Sequence, residues 1–347
     1  MLVKKYAYLF LMLGFTSCHF LETEIDIGDY PVEPRIVVNA VIYAGCDSNL
    51  VFLNDSYSLF DRNASSQNRT YLKDAQSILS KNGVPNSEMY FRSEDNVLYF
   101  NEKFDAGDKA EIEVTDKGRK VSASVIIPEK PVILAVDTVH FSESTEYGST
   151  TYGWYYSNYY YLSPKDRIRL LIKIKAQAGK KNYYRIHAFN ELTIYYRELE
   201  PYTFYYQSFQ SDDPILNKTI YEFDKSLDIT SLEYNEANIF SDELFQNGEY
   251  ILNLYTEDWS EIDKTYSPFY NIPQGDVLSR KYQLRINLQS ISEDLYFYYS
   301  SLQRYQQLNE TLIEPIRVHN NINGGLGIFG AVNELEYVVL EKEMKNP

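Results

Sequence analysis

The sequence predicts an all-β protein, mainly strands with one or two helices: an immunoglobulin-like β-sandwich followed by a larger β-rich region. Three observations predict it. Short runs of β-branched and aromatic residues recur at spacings of about 8–12 residues, punctuated by Gly, Asn and Asp turn signals. One stretch, near the C-terminus, carries apolar residues at helical spacing. The chain has 347 residues, more than the roughly 250–300 that one core usually fills.

The first elements read as an address. Lys4 and Lys5 precede an uncharged apolar run, Tyr6 to Phe15, which falls short of the ~20 residues a membrane-spanning helix needs. A basic start and a short apolar run make a secretory leader, here residues 1–17. Thr16 and Ser17 then precede Cys18, as in a bacterial lipobox, so Cys18 is expected to be acylated as the first mature residue. The alternative is an ordinary leader with Cys18 bonded to Cys46. In the lipoprotein reading Cys46 is a small, buried or half-buried residue without chemistry. Residues 18–34 hold Glu22, Glu24, Asp26, Asp29 and Glu33 with Pro31 and Pro34, an extended acidic tether.

Strands are expected at Arg35–Ala44, Asn49–Asn54, Glu88–Arg92, Val97–Asn101, Ala110–Thr115 and Val121–Pro128, which places the sandwich at 35–130. The polar stretch Asp55–Val84 reads as a long loop or edge crossing. Pro128-Glu129-Lys130-Pro131 breaks strand pairing and marks a boundary. The second region, 131–347, opens at Val132. It continues through Arg167–Ala176, Asn182–Arg197, Glu249–Glu257, Lys281–Ile291 and Glu334–Leu340. Ser292–Gln307 is the helix, with Ser292 as N-cap and Leu295, Tyr298, Tyr299, Leu302 and Tyr305 on one face.

The net charge of −16 argues against nucleic acid and against adsorption to an anionic membrane. Residues 325–330 fit G-x-G-x-x-G, but a dinucleotide site needs a strand before it and a helix after it. A polar turn precedes and a strand-like run follows. Gly324, Gly325, Gly327 and Gly330 are therefore expected to form a tight structural turn, with Ile328 and Phe329 packing inward. The four histidines show no metal-ligand spacing, and His187 reads as a satisfied core residue. Asp212 and Asp213 are weak candidates for a bound Ca²⁺. No nucleophile motif is present. No catalytic residue, metal or cofactor is expected.

The unusual composition is aromatic, with 34 Tyr and 18 Phe. Residues 147–161 hold seven Tyr and Trp154 among Gly and Ser, and Tyr202–Phe209 is a second cluster. Tyr and Trp give stiff, amphipathic contact area at binding hot spots. Tyr152, Trp154, Tyr155, Tyr156, Tyr159, Tyr205 and Tyr206 are therefore candidate contacts for a glycan, a peptide or a protein partner. The alternative is that they pack the second region.

Several segments together resemble one family. The C-terminal run joins Ser292-Glu293-Asp294 and a tyrosine-rich helix to Glu314-Pro315-Ile316. Asn321-Ile322-Asn323-Gly324-Gly325-Leu326-Gly327-Ile328-Phe329-Gly330 follows. Pro34–Ala40, Asn182–Arg185 and Phe240–Phe245 with Asn247-Gly248 match further upstream. This resembles a Bacteroidota lipoprotein family, the domain of unknown function 4249. Asn39-Ala40 departs from the Glu-Gly that members often carry there. The resemblance implies an exported lipoprotein with an immunoglobulin-like first part, encoded near TonB-dependent outer-membrane transporters. It carries over no activity or catalytic residue. The acidic residues after Cys18 resemble a surface-export signal of such lipoproteins. The expectation is a non-enzymatic outer-membrane lipoprotein, anchored through Cys18 at the cell surface, that partners a TonB-dependent nutrient transporter. The alternatives are a glycan- or peptide-binding surface module and a scaffold for envelope assembly.

Overall fold

The computed structural model describes residues 33–57, 71–86, 89–142, 166–207, 209–216, 235–260, 277–308 and 317–345. The chain divides into two units, Met1–Pro34 with Tyr57–Asn68 and Arg35–Ser56 with Arg69–Pro347. All elements below belong to the second. Its first part holds β1 (Ile36–Tyr43), β2 (Asn49–Asp55), β3 (Gln76–Lys81), β4 (Val84–Asn86), β5 (Met89–Arg92), β6 (Val97–Phe100), β7 (Lys109–Asp116) and β8 (Arg119–Ile126). Then come β9 (Val132–Ser142), β10 (Asp166–Lys175), β11 (Tyr183–Tyr196), β12 (Tyr202–Gln207), β13 (Ile239–Ser241) and β14 (Glu249–Glu257). β15 (Val277–Ile291), helix α1 (Glu293–Leu308) and β16 (Leu326–Lys345) close the chain. The fold is all-β with one α-helix among the described residues.

Alternation builds the first core. Ile36, Val38, Ala40 and Ile42 of β1 point inward, as do Ala110, Ile112 and Val114 of β7 and Val121, Ala123 and Val125 of β8. The sheet β4-β3-β7-β8 closes over β1, β2 and β6. Each fully buried Val, Leu or Phe here contributes roughly 1.5–3 kcal/mol. The β7–β8 hairpin turns at Lys117-Gly118, both with positive φ (49° and 81°), the backbone of a type I′ turn.

One sheet runs in the order β12-β11-β15-β16-β1-β2-β6-β5, with β13 beside β11. A smaller sheet, β14-β10-β9, covers part of it. Ile168, Leu170, Ile172 and Ile174 of β10 meet Ile186 of β11 and Leu284, Ile286 and Leu288 of β15 in a second core. Beneath it lies a satisfied polar chain. The Tyr282 hydroxyl donates to Asn190 Oδ1 (2.8 Å) and Asn190 Nδ2 to Thr256 Oγ1 (3.1 Å). Burial pushes the Tyr282 phenol up from its ordinary value.

β16 joins the two cores. Its first residues pair in parallel with β1, from Val37–Leu326 to Tyr43–Val332. The rest pairs antiparallel with β15, from Ile291–Val332 to Ser279–Lys345. Phe329 and Ala331 belong to the first core, while Leu340 and Met344 pack against the second. Helix α1 covers the sheet through Leu295, which is fully buried beside Tyr183, Ile291, Ile328 and Val332.

The structure corrects several expectations. Asp55–Val84 is not all loop, since it contains β3. The inward residues of β3 are Ser77 and Leu79 while Ile78 is 39% exposed, so the apolar alternation is faint. The Gly-rich run is a turn only at Gly324 and Gly325, because β16 already begins at Leu326. Ser292 does stand at the N-cap of helix α1, its carbonyl accepting the Tyr296 N–H (3.0 Å), while its hydroxyl oxygen accepts from the Ala331 N–H of β16 (3.1 Å). Tyr305 lies 40% exposed. Cys46 is exposed, because it follows the Ala44-Gly45 turn that ends β1.

Candidate functional site

Cys18 and the candidate contacts Tyr152, Trp154, Tyr155, Tyr156 and Tyr159 lie outside the described residues. Tyr205 and Tyr206 lie in β12, which among the described residues is the last strand of the long sheet at that end. Register with β11 places Tyr205 opposite Glu191 and Tyr206 opposite Asn190. Successive side chains of a strand point to opposite faces, so the two tyrosines serve different surfaces.

On one face Tyr206 stacks on Trp259, with ring centres 5.5 Å apart and planes 18° from parallel. Trp259 is itself buried and its indole N–H donates to Glu257 Oε2 (3.1 Å). Asp258 beside it is also buried. It accepts from the Ser260 N–H (2.8 Å) and lies 2.9 Å from His140 Nδ1. On the other face Tyr205 is 70% exposed, the most open of the candidate tyrosines that the structure describes. Below it, Glu191 pairs with Arg285 (3.2 Å), and Thr193 and Thr203 share a hydrogen bond (3.0 Å). An edge strand with an open aromatic side chain is chemically suited to stacking and to strand pairing.

His187 anchors this face. It is buried, and its Nδ1 lies 2.5 Å from Gln207 Nε2, the last residue of β12. Gln207 donates to a neutral imidazole. Burial, then the nearby Arg185 charge, pull the His187 pKa down from 6.5 to about 4. This is the satisfied core histidine expected from its place in a strand pattern. Trp259 and Gln207 escape sequence reading. Trp259 follows the end of β14, where alternation has stopped, and nothing local pairs it with Tyr206.

Asp213 is committed to the protein itself. It is buried and accepts from the Tyr250 hydroxyl (2.5 Å) and from the backbone N–H groups of Asn253 (3.0 Å) and Ile215 (3.1 Å). That bonding gives it a structural role, whereas Asp212 is exposed.

The glycines act sterically. A Cβ on Gly325 would lie 2.7 Å from the Ile36 carbonyl oxygen, and one on Gly330 would lie 3.0 Å from Leu295. Asn321 completes the edge of β16: its amide donates to the Phe329 carbonyl (2.9 Å) and accepts the Phe329 N–H (2.9 Å). Its Nδ2 also reaches Asp294 of the helix (3.2 Å), which holds His319 Nε2 at 2.8 Å. The run is thus a junction where strand, helix and preceding loop meet.

Fold and surface define an all-β chain whose longest sheet reaches both larger cores and, among the described residues, ends in an aromatic edge strand. A family model described as a domain of unknown function (DUF4249) matches residues 22–337, and the chain belongs to that family. No curated protein matches it. Among solved structures, a Corynebacterium diphtheriae chain described as a candidate membrane-anchored protein aligns at 8% identity and a TM-score of 0.20. That alignment covers 74% of this chain and 54% of the other, so it spans about half of the other's length. A likeness this slight carries no argument about fold or function.

Proposed function

We propose that the chain is a non-enzymatic lipoprotein of the outer membrane, held at the cell surface through Cys18, that serves a TonB-dependent nutrient transporter as accessory or binding partner. The lipobox-like Phe15–Cys18 stretch and the acidic tether support the anchoring. Among the described residues, no helix is long and apolar enough to cross a membrane. The observation that carries the partnership is the β12 edge, where Tyr205 stands 70% exposed. An exposed edge strand offers unpaired backbone groups with which another chain can pair.

Two substitutions test the parts separately. Cys18→Ser should move the protein out of the membrane fraction. Tyr205→Lys places a charge on the edge without touching a core, and should cut transporter co-isolation at least tenfold while the unfolding curve stays unchanged. Full co-isolation of Tyr205→Lys would remove β12 as the contact. Tyr205 also supports a second reading, in which the exposed ring stacks on a glycan or peptide that the protein retains by itself. That reading predicts ligand retention by the purified chain without any transporter.

A further inference from the structure

The segment that leads into the glycine run forms, with helix α1, a cleft of about 370 Å³. That volume lies within the range of small-ligand sites, roughly 300–1,000 Å³. Phe297, Ser300 and Arg304 line it from the helix, and Arg317, His319 and Asn320 from the segment. Among the described residues its lining holds the guanidinium groups of Arg304 and Arg317 and no carboxylate, on a chain with 49 acidic residues and a net charge of −16.

The walls are held by their own hydrogen bonds. The His319 N–H donates to Ser301 Oγ (2.8 Å), tying the segment to the helix. Asn320 Oδ1 accepts the Ile322 N–H (3.1 Å), which fixes the turn behind it. Asp294 bonds the His319 Nε2 (2.8 Å), so that carboxylate is already engaged and the imidazole is set in one orientation. Arg317 is exposed. Phe297 is 42% exposed and packs 5.8 Å from the His319 ring, giving the cleft one apolar wall.

We infer that this cleft binds an organic carboxylate. A guanidinium presents paired N–H donors in a planar fork that matches a carboxylate. The Ser300 hydroxyl can take a neighbouring hydroxyl or amide, and the Phe297 ring can cover the apolar side of the ligand. The same chemistry could come from an acidic sugar or from the free C-terminus of a peptide. The site lies on the helix and is independent of the β12 contact, so loss of the transporter partnership leaves it standing.

The test is titration calorimetry on the full mature chain with two matched pairs: glucuronate against glucose, and a Phe-containing dipeptide against its C-terminal amide. At least one carboxylate should bind tenfold or more tightly than its neutral counterpart. Its affinity should fall tenfold or more in Arg317→Gln and weaken with added salt. Phe297→Ala should lower affinity for the same ligand with the charge left in place. The pair that discriminates identifies the source of the carboxylate. Equal binding within both pairs overturns the inference, as does an unchanged affinity in a folded Arg317→Gln variant. Inorganic phosphate binding as tightly as the carboxylates would reduce the cleft to an adventitious anion site and also overturn it.

Discussion

Gly327 has a φ of +112°, and a Cβ there would stand 2.1 Å from the Val38 carbonyl oxygen. That oxygen is backbone in a paired strand, so it cannot yield. Gly327→Ala should cost about 3 kcal/mol or more, or prevent folding, as read by urea denaturation. Gly107 also has positive φ but open space around its missing Cβ. Gly107→Ala should cost only about 1 kcal/mol. If the two variants unfold at the same urea concentration, the steric account of the glycine run fails. His187 gives a pH signature. The unfolded chain takes up this proton near 6.5, the folded one only near 4. Stability from the buried neutral imidazole is complete above pH 6.5 and declines as pH falls toward 4. His187→Gln should flatten that part of a melting-temperature profile. At this scale the sequence was partly legible. The inward packing of Ile328 and Phe329 and the buried His187 follow from pattern. The close approach at Gly327 does not, because it depends on β1, which lies some 290 residues earlier.

Among elements, β10, β11 and β14 were readable to within a residue or so, because apolar residues recur at every second position through most of each. β3 was not, because a serine takes one of its inward positions. The Asn82-Gly83 dipeptide between β3 and β4 carried a usable signal, since both residues adopt the positive φ of a type I′ hairpin turn. Helix α1 was legible through its period, yet much of what holds it is Leu295 set against Gly330. Leu295→Ala should destabilise the protein by about 2–5 kcal/mol in chemical denaturation. A change below 1 kcal/mol would mean the helix is not part of the cooperative core. For the candidate site, the tyrosines of β12 could be picked from composition. Their division between two faces, and the stack on Trp259, needed the register with β11.

Over the whole molecule, the first core is completed from the other end of the chain. Ile322, Phe329 and Ala331 pack among residues of β1, β2, β7 and β8, and β16 is the parallel neighbour of β1. An isolated fragment of residues 35–131 should therefore fail to fold, giving a collapsed amide spectrum without dispersed resonances. A well-dispersed spectrum would show that the sandwich closes without β16. Such long-range closure is invisible to local pattern, which reads β16 as two pieces, a turn and a strand.

The central functional claim is partnership with a transporter at the outer membrane. The most direct test is to extract the intact acylated protein from outer membranes in mild detergent, isolate it, and weigh its companions by quantitative mass spectrometry. The account predicts a TonB-dependent barrel in near-stoichiometric amount, reduced at least tenfold with Tyr205→Lys. A protein that arrives alone, with its Cys18 anchor intact, would contradict the partnership.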